Sequence, residues 1–144
     1  MKQKLHWTGQ AVLLLSLLLL TLAACTGNQK DKEKSEALKQ YETIIRWSQW
    51  DAAADFIAPE YQEEHPITRL ELDRLRLFKV TAYTVRSTGV FDEGMTMRQV
   101  VEIKMFNKSK AVERTITDEQ EWRYNPETER WKLHSGLPDP TKRY

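Results

Sequence analysis

Asp118, Gln120 and Trp122 recur at intervals of two in a run of β-branched and aromatic residues, so an extended strand sets all three on one face. Tyr83 lies in an earlier run of the same kind, and Gln99 falls on the side of Val101 and Ile103 in another. If no bulge intervenes, Tyr83, Gln99, Asp118 and Gln120 line one cavity beside Trp122. A tyrosine and a sequestered carboxyl are parts that proton-transfer chemistry uses. The competing arrangement places these polar groups at the rim of the sheet, or turned outward by a bulge, and it is the expected one. No other catalytic pattern is present: the chain has no Gly-rich phosphate loop, no H-E-x-x-H and no nucleophile elbow. His65 sits in a polar loop after Glu63 and Glu64, and His134 falls at a strand end. Neither spacing builds a metal site, and no cofactor is expected. Cys25 is the single cysteine, so the chain can form no internal disulfide and no thiolate metal cluster.

The elements that must position these groups follow from periodicity. From about Glu36, Leu38, Tyr41, Ile45 and Ser48 recur at three and four, with Ile44 beside them, as on one helix face. Ser48 and Asp51 have the spacing of a capping box, opening a second helix from Gln49 to Ala58 that stops before Pro59. Thr68 and Glu71 repeat that spacing, so a third helix begins at Arg69. The second half reads as strands over 79–91, 96–107, 112–124 and 130–134, separated by short polar turns. Short turns imply an antiparallel meander. The fold class is therefore α+β, with N-terminal helices packed on a curved antiparallel sheet of about four strands. Pro138-Asp139-Pro140 marks the expected end of folded structure, with 139–144 as a tail.

The start of the chain differs in kind. Lys2 and Lys4 precede an apolar run from Ala11 to Leu20, and Thr21 to Ala24 then shrinks to small residues. The run is short of the roughly 20 apolar residues of a spanning helix. Leu22-Ala23-Ala24-Cys25 resembles the lipobox of bacterial lipoproteins at all four positions. That resemblance implies a signal peptide over 1–24, cleavage between Ala24 and Cys25, and a diacylglycerol thioether on Cys25. Two or more acyl chains hold a protein stably to a bilayer. Thr26, rather than aspartate, follows the cysteine. In bacteria with two membranes this implies the outer membrane, with the domain facing the periplasm. Residues 25–35 are polar and mixed in charge, so they are expected to form a flexible tether reaching on the order of 30 Å. Without Lys2 and Lys4, the 22 basic residues fall to 20 against 21 acidic ones, a net charge of −1 that argues against a nucleic-acid partner.

The body over 36–138 is similar to NTF2-like domains of the cystatin-like superfamily. Trp50-Asp51-Ala52-Ala53-Ala54 followed by Pro59-Glu60-Tyr61 resembles their early helices. Arg130-Trp131-Lys132-Leu133 running into Ser135-Gly136-Leu137-Pro138 resembles the closing strand of bacterial lipoproteins of that kind. The resemblance implies a cone, a bent sheet wrapped around a long helix. Members of such families include enzymes, carriers and binding modules, and the chain has no acid–base or metal constellation, so the expectation is an envelope lipoprotein, monomeric or homodimeric, whose domain binds another envelope protein or a small apolar ligand without catalysing a reaction. The alternative is an isomerase or dehydratase acting on a small apolar substrate in the cone.

Overall fold

The computed structural model describes residues 29–142. The expected signal peptide, Cys25 with its expected lipid, and residues 26–28 lie outside the described residues, as do 143 and 144.

Helix α1 runs over residues 29–46. Its buried stripe is Ala37, Tyr41 and Ile45, four apart, flanked by Leu38 and Ile44. The expected tether is therefore corrected, because residues 29–35 are helical. An Asp31–Lys34 pair at 2.8 Å supports the first turns locally. The stronger cause is tertiary. The indole nitrogen of Trp131 donates to the Lys30 carbonyl at 3.1 Å, and the Trp131 amide donates to Glu33 Oε2 at 2.9 Å. A chain truncated to begin at Glu36 loses both bonds. It is expected to be about 1–3 kcal/mol less stable in urea than one beginning at Gly27. Equal unfolding midpoints would show that the first turns of α1 carry no stability.

Helix α2 is Trp50–Ala54, shorter than expected. The chain leaves the helix because Phe56 to Ala58 pair with the end of the sheet: Leu133 N donates to Phe56 O, and Ala58 N to Leu133 O. The expected Ser48–Asp51 box does not form. Ser48 sits at φ 57°, and its hydroxyl accepts from Val80 N at 2.8 Å instead. Asp51 is drawn away to Arg76, with an oxygen–nitrogen distance of 2.5 Å. A further short helix, α3, covers Pro59–Glu64 with proline at its start, where the missing N–H costs nothing. Helix α4, Arg69–Leu75, begins as expected, with both arms of the Thr68–Glu71 box made.

Four strands follow: β1 Phe78–Phe91, β2 Thr96–Asn107, β3 Val112–Asn125 and β4 Arg130–Leu133. They form one antiparallel sheet in sequence order, the expected meander. Alternation along β2 buries Met97, Gln99, Val101, Ile103 and Met105, and along β3 buries Ile116, Asp118, Gln120 and Trp122. The helices cover this face. Two irregularities interrupt β1, between Val80 and Ala82 and between Val85 and Ser87. They break the simple alternation that would put Tyr83, Val85, Ser87 and Phe91 on one side. Tyr83 is buried, whereas Val85 and Phe91 are exposed. After the second irregularity Phe91 stacks on Arg98, which points to the uncovered face. The C-terminal segment does not leave the fold at Pro138. Pro138 and Pro140 are buried, and Arg114 donates to the Pro140 carbonyl.

Candidate functional site

The residues with chemistry converge on the side chain of Gln120. Its Oε1 accepts from Gln99 Nε2 at 2.6 Å and from Trp122 Nε1 at 3.2 Å. Its Nε2 donates to Asp118 Oδ2 at 2.7 Å and to the Tyr83 hydroxyl at 3.2 Å. One amide thus joins three strands, since Tyr83 comes from β1, Gln99 from β2 and the rest from β3. Antiparallel register explains the closeness, because Gln99 and Gln120 are direct cross-strand partners. The expected rim or outward placement is overturned. Tyr83, Gln99, Asp118 and Gln120 are only 7%, 7%, 8% and 2% exposed. A bulge does occur in β1, yet Tyr83 emerges from it facing inward.

This cluster is enclosed and aromatic-walled. Trp122 is fully buried, with ring centroids 5.2 Å from Tyr41 and 6.2 Å from Phe56, both edge-to-face. Burial raises the Asp118 carboxyl to about 6 from its ordinary 3.8, against the Gln120 hydrogen bond and Lys142, which lower it. The Tyr83 phenol is pushed well above its ordinary range, chiefly by burial. Tyr41, not anticipated as a member, completes the set from α1. Its hydroxyl has no hydrogen-bond partner among the described residues, and burial above all, then the nearby Asp118 and Tyr83, raises its pKa. Its helical spacing marked it as core, and nothing in that spacing signals a polar neighbour. Chemically, the arrangement holds a carboxyl that can be neutral near pH 6. Its polar groups are spent largely on one another.

The remaining candidates separate. His65 stacks on Tyr61 with centroids 4.6 Å apart. His134 Nε2 lies 3.6 Å from Glu60. Among the described residues no group of three or more His, Cys, Asp or Glu side chains is placed to hold a metal ion. A cleft of about 310 Å³ lies elsewhere, between α3, α4 and the C-terminal segment, lined by Tyr61, Ile67, Leu137 and Lys142 among others. Among the described residues no helix is long and apolar enough to cross a membrane. No protein-family model, no curated protein and no solved structure matches this chain.

Proposed function

We propose that the protein is a lipid-anchored envelope protein whose NTF2-like domain binds another envelope protein at its surface and catalyses no reaction. The observation that carries this reading is the filled interior. Trp122, Tyr41 and Phe56 pack edge-to-face, and Asp118, Tyr83 and Gln99 are held by Gln120. A substrate would have to displace these contacts to reach the acid. Helices followed by a four-stranded meander support the NTF2-like assignment. Surface binding is supported by Trp47, which is 76% exposed on the turn after α1. A large aromatic left in water is a common anchor at interfaces. The anchor itself is inferred from Leu22-Ala23-Ala24-Cys25, and an outer-membrane, periplasm-facing position from Thr26.

The anchor is tested by Cys25→Ser in cells fed radiolabelled palmitate. The variant is expected to remain an uncleaved, unlabelled precursor, while wild type is cleaved and labelled. Label entering the variant would overturn the assignment. Binding is tested with a photo-crosslinking residue at Trp47 and at Arg86. A discrete adduct from position 47 that is absent from position 86 is expected. Identical adduct patterns at both positions would remove Trp47 from the interface.

A further inference from the structure

We infer that the domain lies directly on the bilayer, with the end that carries the β1–β2 turn down and Val90 and Phe91 in the headgroup layer; this rests on the lipid anchor proposed at Cys25. Only Thr26 to Asn28 separate Cys25 from the first residue of the described helix. Four residue steps span at most about 14 Å. The headgroup layer takes up about 5–8 Å of that reach. That leaves about 6–9 Å at most between the headgroups and the start of the helix, which keeps the domain at the membrane surface.

The start of α1 fixes which end faces down. Lys30 Nζ donates to the Glu93 carbonyl at 3.3 Å, and the Lys30 carbonyl accepts from Trp131. The helix therefore begins against the β1–β2 turn and the β3–β4 end of the sheet. Phe91 and Val90 close β1 at this turn and are 47% and 55% exposed. Phe91 lies over Gly89 and Arg98 on the uncovered face and Val90 on the opposite one, so the two present apolar surface on both sides of the sheet beside the turn, suited to shallow insertion. The opposite end is out of reach. A helix over 29–46 is about 26 Å long, and beyond it Ser48 bonds Val80 at the start of β1. Trp47, Phe106 and Val112 are exposed at that far end, which leaves Trp47 facing away from the lipid.

Charge decides what kind of lipid surface fits. The near end carries Asp92, Glu93, Glu127 and Glu129 against Lys30, Arg98, Arg123 and Arg130, with no excess of positive charge. Anionic lipid gains nothing there, so the contact is apolar and should form equally on zwitterionic membranes.

The test uses the full-length, lipidated protein in phosphatidylcholine vesicles. With Cys25 acylated, a cysteine placed at Phe91, Val90 or Val112 is the sole free thiol and takes an environment-sensitive fluorophore. Iodide quenching at Phe91→Cys is expected to be about threefold or more weaker than at Val112→Cys, with lipid-borne nitroxide quenching at position 91 only. Adding phosphatidylglycerol should leave the nitroxide quenching unchanged. Phe91 packs over Gly89, so Val90→Cys repeats the measurement without disturbing that contact. Equal iodide quenching at 90, 91 and 112, in protein that floats with the vesicles, would overturn the orientation and leave the anchor standing. Protein that neither floats nor takes up palmitate would overturn both.

Discussion

Trp122→Ala is expected to remove about 3–5 kcal/mol of stability, the range for deleting a buried tryptophan. Trp122 has no exposed surface, and its ring contacts Tyr41 and Phe56, so one indole joins α1 and the chain after α2 to the middle of the sheet. Truncation also removes the Nε1 donor of Gln120 Oε1, at the point where the polar cluster meets the apolar core. Helices over a rigid sheet cannot collapse far into the space left behind. Domains of this size have roughly 5–15 kcal/mol in all, so the variant should unfold at a much lower urea concentration. Trp122→Phe keeps the edge-to-face packing and should lose less than half as much. Trp47→Ala serves as the reference, because an exposed tryptophan should change stability by no more than about 0.5 kcal/mol. A loss under about 1 kcal/mol for Trp122→Ala would mean that the helices do not close over this face in solution.

The sheet was legible in the sequence because its signals are local. Alternation along Thr96–Asn107 and the turn residues on either side are enough to place β2, whose bounds agree with expectation. The Thr68–Glu71 box was legible for the same reason: a cap is satisfied within four residues. Where the reading failed, the deciding partner lay far along the chain. The first turns of α1 look like solvated linker because their anchor, Trp131, is about a hundred residues away. Ser48 has the right neighbour for a cap, yet Val80 takes its hydroxyl. The polar set shows the split most clearly. Parity put Asp118 and Gln120 on the core face, but whether that face could bury them depended on Gln99 and Tyr83 arriving from two other strands. A buried carboxyl without such partners would be far too costly, which is why the rim was the expected place.

Asp118→Asn is expected to stabilise the protein near neutral pH and to flatten its pH dependence. The side chain is held at about 6 in the fold against an ordinary 3.8, mainly because burial disfavours the charged form. Between those two values the unfolded chain has released its proton while the folded chain retains it. Folding therefore binds a proton, and wild-type stability falls as pH rises from about 4 to 6, then levels off above 6. A shift of this size corresponds to about 3 kcal/mol at most. Asparagine has the same shape and offers its amide oxygen to Gln120 Nε2, so the network on β3 survives while the buried charge disappears. At pH 7.5 the variant should exceed wild type by about 1–3 kcal/mol in urea unfolding, and at pH 4 the two should converge. Asp118→Ala separates charge from packing. It also relieves the charge but leaves Gln120 Nε2 without that acceptor, so its gain at pH 7.5 should be smaller or absent. Parallel stability curves for wild type and Asp118→Asn across pH 4 to 7.5 would mean that Asp118 reaches solvent. The interior would then be open enough to admit a ligand, and the surface-binding reading would give way to chemistry at the acid.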